Sequence, residues 1–167
     1  MVLNDPEIIQ EFLTESTEHL ADIEQQLLEI EAGGEHVNVD LVNTVFRGVH
    51  SIKGAAGFMG FESVQGLAHS LESVLNLMRE EALIPTSEIM DVLLGAADLL
   101  RQLFDDIENS NAVDVSEFVK PLDAIVAKAM AISDPDAAPQ PEGPNASVDA
   151  GGVTTTAEPD AVPDADE

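Results

Sequence analysis

The chain has 167 residues, with 33 Asp and Glu against 6 Lys and Arg, a formal net charge of −27. Nothing in it could neutralise phosphates along a backbone, which excludes a nucleic-acid binder and makes an anionic membrane surface a poor partner. The absence of cysteine removes disulfides, thiolate metal sites and cysteine nucleophiles together.

Val2 and Leu3 lead into Asn4, Asp5 and Pro6 with no basic region and no long apolar leader, and no run approaches the ~18 consecutive apolar residues of a membrane span. A soluble, cytoplasmic protein is expected. Asp5 followed by Pro6 predicts the start of a first helix, along which Ile9, Phe12, Ser16, Leu20, Ile23, Leu27 and Ile30 recur every three or four residues before Gly33 and Gly34 end it. Asn38 caps a second helix with the stripe Val42, Val45, Phe46, Val49, Ile52 and Ala56, ending between Gly57 and Gly60.

A third helix starts near Glu62 and carries Val64, Leu67, Ala68, Leu71, Val74, Leu75 and Met78. Pro85 breaks the chain, and Thr86 or Ser87 caps a fourth helix running through Ile89, Met90, Leu93, Ala97, Leu100, Phe104 and Ile107. Asp114 and Glu117 form a variant capping box before a shorter fifth helix that reaches about Ala131. No segment alternates with period two, so the class is all-α: an antiparallel up-down four-helix bundle with the fifth helix packed outside.

Composition changes near Ser133. From there to Glu167 the chain holds six of its nine prolines and nine acidic residues without a single Lys or Arg. Such a segment buries too little apolar surface to offset its ordering entropy, so residues 1–132 are read as the helical domain and 133–167 as a disordered acidic linker or tail.

Function is expected where polar residues leave the pattern of a solvated helix face. Beside the apolar stripe of the second helix lie Asn43, Arg47, His50, Gly54 and Gly57, with Lys53 one turn beyond His50. Arg47 and Lys53 form a cationic island in an acidic chain. Gly48, Gly54 and Gly57 each cost roughly 1 kcal/mol relative to Ala inside a helix, so something must compensate. A side chain at 54 would lean back toward His50, and glycine there keeps the imidazole open to something large.

The third helix has its own off-stripe row of Gln65, His69, Glu72 and Asn76. If it faces the second helix, Glu72 can accept a hydrogen bond from one ring nitrogen of His50 and leave the other as a nucleophile, with Lys53 neutralising a transferred anion. Arg47, Ser51, Gly54 and Gly57 are expected to form a docking face, with Phe12, Leu13 and Ser16 on an exposed flank of the first helix as its opposite wall. His19 and His36 read as ordinary surface residues.

The run Phe46-Arg47-Gly48-Val49-His50-Ser51-Ile52-Lys53-Gly54-Ala55-Ala56-Gly57, followed by Gly60-Phe61 and by Leu67-Ala68-His69-Ser70-Leu71-Glu72, resembles the histidine phosphotransfer domain, in the version at the N-terminus of the chemotaxis histidine kinase CheA. The resemblance covers residues 5 to about 131. It implies that His50 accepts a phosphoryl group from a histidine-kinase ATP-binding domain, in cis or in trans. It also implies that His50 passes the group to an aspartate on a response-regulator receiver, CheY-like or CheB-like, with Lys53, His69 and Glu72 in supporting positions. No cofactor or metal is expected. Gly48-Val49 stands where two small residues, often alanines, are usual, which bears on regulator preference.

Two other classes fit the residues less well. A carboxylate-bridged di-metal bundle needs Glu-x-x-His pairs, yet Ser16, Gly33, Arg47 and Gly66 precede the four histidines by three. A purely structural or docking bundle, in which Phe58, Met59 and Phe61 simply close the core, predicts no effect of replacing His50. No kinase signature or phosphate-binding loop is present, so the chain alone is not expected to be an enzyme.

Overall fold

The computed structural model describes residues 5–133. Helix α1, Pro6–Gly33, opens with the Asp5 side chain accepting from the Glu7 N–H at 3.0 Å and Pro6 in its first turn. It closes at Gly34, whose φ of 58° suits a residue without Cβ. Helix α2, Val39–Met59, is capped by Asn38, which accepts from Leu41 N–H at 3.2 Å, and stops at Gly60 in the left-handed conformation, φ 80°. Helix α3, Glu62–Arg79, follows after only Gly60 and Phe61, so α2 and α3 form a tight antiparallel hairpin. Helix α4, Ser87–Asp105, takes its cap from Thr86 Oγ1, and helix α5, Ser116–Ser133, completes the described chain.

Helices α1 to α4 form a closed ring in which α1 packs on α2 and α4, and α3 on α2 and α4; α5, expected to be shorter but as long as α3 at 18 residues, lies outside, against α3 and α4. The core inside the ring is aliphatic, with Leu20, Ile23, Leu27, Ile52, Leu67, Leu71, Leu75, Met90, Leu93 and Leu100 all but removed from solvent. This is the expected up-down bundle with an outer fifth helix. The acidic segment expected to be disordered lies outside the described residues, apart from Ser133.

Two local expectations are corrected. The fourth helix ends at Asp105, and Ile107 belongs to a 3-10 helix over Ile107–Ala112 while still burying its side chain. Asp106, at φ −133° and ψ 62°, leaves helical space and so ends the ladder of α4, while its carbonyl accepts from Asn109 N–H at 3.2 Å and its carboxylate from Asn109 Nδ2 at 2.8 Å. At the next boundary, Asp114 accepts from the Ser116 N–H at 2.9 Å, one residue earlier than a capping box with Glu117 requires.

The 3-10 segment also completes the α2–α3 turn. The formal N-cap of α3 is Phe61, whose side chain cannot accept a hydrogen bond. Asn111 does so instead from 48 residues away: its Oδ1 accepts from Ser63 N–H at 3.3 Å, and its Nδ2 donates to Gly60 O at 2.9 Å. One side chain thereby satisfies an orphan donor of α3 and a carbonyl at the end of α2.

Candidate functional site

The α2–α3 hairpin carries the off-stripe rows of both helices, and antiparallel packing brings them face to face. Glu72 Oε2 lies 3.1 Å from His50 Nδ1. Lys53 Nζ donates to the same carboxylate at 2.9 Å. The three side chains grade from interior to solvent: Glu72 is 15% exposed, Lys53 24% and His50 61%. A half-sheltered carboxylate therefore holds one nitrogen of a largely exposed imidazole, and Nε2 is left on the solvent side.

Burial pushes the Glu72 carboxyl up, but hydrogen bonds from Lys53 and His50, with the charges of those groups, outweigh it and hold the carboxyl below its usual range. An ionised Glu72 is an acceptor only. Its contact with Nδ1 selects the tautomer that carries the proton there and leaves a lone pair on Nε2. Lys53 is paired with Glu72 beside His50.

The glycines separate into three situations. A Cβ on Gly54 would meet nothing within 4 Å, so the surface beside His50 is open there. A Cβ on Gly57 would stand 2.6 Å from Gln65 Nε2, so that glycine admits an α3 side chain and does not extend the opening. On Gly48 the Cβ would lie 3.1 Å from Ile23 Cδ1, which makes Gly48 the point of close approach between α1 and α2. The helix-propensity cost thus has two packing causes and one site left open.

The expected wall on α1 is corrected. Phe12 and Ser16 are buried, 6% and 3% exposed, and Phe12 stacks on Phe61 at 5.5 Å and meets Phe104 edge-on at 5.9 Å. Leu13 lies with Pro6, Met59 and Phe61 around a depression near the α2–α3 turn. The α1 residues that share a surface depression with Arg47 and Ser51 are His19, Asp22, Ile23 and Gln26. Phe12 and Ser16 already belonged to the apolar stripe of α1, and a stripe residue cannot also supply an exposed flank.

His69 stands one turn before Glu72 on α3, exposed, where it lines a shallow depression with Lys53, Glu62, Gln65 and Gly66; among the described residues no hydrogen bond joins it to His50. Of the residues invoked to close the core, Met59 is buried whereas Phe58 is 72% exposed. Two residues beside the imidazole escaped sequence reasoning. The Phe46 ring stacks alongside His50, centroids 6.1 Å apart and planes inclined by 15°, and the Arg79 guanidinium lies 4.1 Å over the Phe46 ring. Phe46 was assigned to the core stripe, yet it stands one turn before His50, the spacing at which helical side chains touch.

Among the described residues no helix is long and apolar enough to cross a membrane. The chain is 35% identical over 129 residues to the sensor histidine kinase CheAY of Helicobacter pylori, an alignment covering 73% of this chain and 16% of that protein. It is likewise 35% identical over 122 residues to the chemotaxis protein CheA of Rhizobium meliloti, covering 71% and 16%. The chain thus matches about a sixth of the length of these relatives. Among solved structures, it resembles the phosphorylated P1 domain of CheA3 in complex with CheY6 from R. sphaeroides, with a TM-score of 0.65 and 27% identity over 74% of this chain and 98% of that one. It also resembles the CheA phosphotransferase domain from Thermotoga maritima, with a TM-score of 0.57 and 35% identity over 60% and 94%. Residues 7–110, which hold the whole α2–α3 hairpin and its imidazole, match the model of the Hpt domain, and the chain belongs to that family.

Proposed function

We propose that this chain is the phosphoryl-carrying module of a chemotaxis phosphorelay, with His50 as the residue that is phosphorylated. The observation that carries the reading is the contact between Glu72 and His50 Nδ1, which leaves Nε2 nucleophilic and facing solvent. Nε2 attacks the terminal phosphorus of ATP held on a histidine-kinase ATP-binding domain. The P–N bond forms as the bond to the leaving oxygen of ADP breaks. The ring gains positive charge in this step, and the Glu72 carboxylate on Nδ1 stabilises it.

Discharge is the reverse polarity. An aspartate oxygen of a receiver attacks the phosphorus, the P–N bond breaks, and its electron pair returns to Nε2. The receiver, CheY-like or CheB-like, reaches His50 across the open surface at Gly54, with Arg47 and Ser51 on its border. Lys53 and His69 stand on the α3 side and contribute positive or polar surface to an incoming phosphoryl group. This setting is cytoplasmic, where ATP and receivers meet, and a cysteine-free acidic chain suits it.

The test is incubation with a CheA ATP-binding domain and radiolabelled ATP. Acid-labile, alkali-stable label is expected on the wild-type chain and none on His50→Gln. Labelling of His50→Gln at a comparable rate would refute the assignment.

A further inference from the structure

Phe46, His50 and Lys53 form a row on α2, and Glu72, Asn76 and Arg79 form the facing row on α3. The spacing within each row is four and three residues in α2 and again in α3, so the rows match when the helices run antiparallel. Lys53 and His50 fall opposite Glu72, and Phe46 falls opposite Arg79. The imidazole is consequently bracketed along α2, by an ion pair at one end and by a cation-covered aromatic ring at the other.

A hydrogen bond at Nδ1 fixes one atom of the imidazole but leaves the ring free to swing about that contact. With 61% of its side chain exposed, His50 gets little restraint from general packing. A second contact is needed to hold the plane. The Phe46 ring supplies a nearly parallel surface, inclined by 15°. Phe46 is itself held in place from α3, because Arg79 lies over its ring while an Arg79 N–H donates to Asn76 Oδ1 at 2.6 Å.

We propose that Phe46 and Arg79 are positioning residues for phosphoryl transfer, which hold the plane of the His50 ring so that Nε2 keeps the in-line direction. The proposal rests on His50 being the phosphorylated residue. Arg79 acts through Phe46 and not on the phosphoryl group, so its removal changes the rate by loosening the ring. The two contacts on the imidazole are complementary, Glu72 setting which nitrogen is free and Phe46 setting where that nitrogen points. Reaction geometry is sensitive to this, since small misplacements of a nucleophile cost disproportionate rate.

The experiment compares wild type, Phe46→Leu and Arg79→Met in the full chain, with a CheA ATP-binding domain and radiolabelled ATP. The two variants keep the apolar volume of the ring and of the arginine stem while removing the flat face and the charge. Carbon relaxation of the His50 ring, measured on the unphosphorylated protein, reports its mobility. Phe46→Leu is expected to lower kcat about 3- to 10-fold, the factor that a stacked pair supplies, with KM unchanged and a more mobile His50 ring. Arg79→Met is expected to lower kcat about 2- to 5-fold, in keeping with a cation–π contact that is only partly buried.

An unchanged kcat and ring order in Phe46→Leu would overturn the proposal, and so would a rise in KM alone, which would make Phe46 a partner contact. If Phe46→Leu fails to fold, Arg79→Met decides by the same two readouts. His50→Gln is run alongside. Should it still accept label, the phosphorylation-site reading fails, whereas the ring measurement judges the stack separately.

Discussion

Glu72 and His50 stand 22 residues apart in the sequence, yet a carboxylate oxygen of one lies 3.1 Å from Nδ1 of the other, across the α2–α3 interface. Among the described residues, the relationship sets this exposed histidine apart from His19. His19 pairs with the i,i+4 carboxylate of Glu15 at 3.6 Å, a contact available to any helix. The contact at His50 requires two helices in register.

Removing the Glu72 carboxylate is therefore expected to slow phosphoryl uptake by about 10- to 10⁴-fold, the range over which positioned acid–base partners act. Glu72→Ala should keep its helical circular dichroism, because the contact lies on the flank of the core. An unchanged uptake rate would remove Glu72 from the mechanism.

The same carboxylate makes a prediction about acid stability. Its folded-state pKa is lowered from 4.5, so the unfolded chain binds a proton more readily than the folded one. The stabilisation is complete above the unfolded value of about 4.5 and fades as pH falls through the lower folded value. Denaturant melts of wild type and Glu72→Gln should thus converge on acidification below that range and differ most near neutrality. Curves that stay parallel down to strong acid would contradict the ion pair.

Gly54 and Gly48 should respond differently to a side chain. Gly54→Leu places its Cβ in open space and gains about 1 kcal/mol of helix propensity, while its bulk beside His50 obstructs a receiver that must bring an aspartate within about 3 Å of the phosphorus. Pre-phosphorylated Gly54→Leu is expected to be at least as stable as wild type and to transfer poorly. Gly48→Ala instead presses on buried Ile23, so it is expected to gain less stability than Gly54→Leu, the helix propensity being set against the shift that Ile23 must make. Normal transfer from the Gly54 variant would show that this open surface lies off the receiver's path.

Phe12 is a core residue and should behave as one. Phe12→Ala is expected to lose about 3–5 kcal/mol, because it abandons two aromatic partners and leaves a cavity. Chemical denaturation measures this directly. A stable variant with weakened receiver binding would restore Phe12 to the docking face.

Asn111→Ala should loosen the α2–α3 turn without touching the chemistry. It removes the donor to Gly60 O and the acceptor for Ser63 N–H, a combined loss of about 1–2 kcal/mol by the usual worth of caps and hydrogen bonds. Hydrogen exchange at Ser63 and its neighbours should rise ahead of the rest of α3. Unchanged protection there would mean that the turn is held by its backbone alone.

The sequence by itself determined the helices, their caps and the two rows of polar residues, because apolar periodicity, capping by Asp5, Asn38 and Thr86, and the stops at Gly34 and Gly60 are local chemistry. It also marked His50 and Glu72 as partners, since off-stripe rows on consecutive helices of a hairpin must meet if the hairpin is tight. Tertiary structure decided what periodicity does not encode: which of three glycines faces solvent, that Phe12 and Ser16 point inward, and that Asn111 reaches back to cap a helix 48 residues away. It decided, too, that Phe46 serves both the edge of the core and the His50 ring, with Arg79 above it. Those outcomes depend on the crossing and register of helices distant in sequence, and the spacing of residues along one helix carries no information about the rotation of its neighbour.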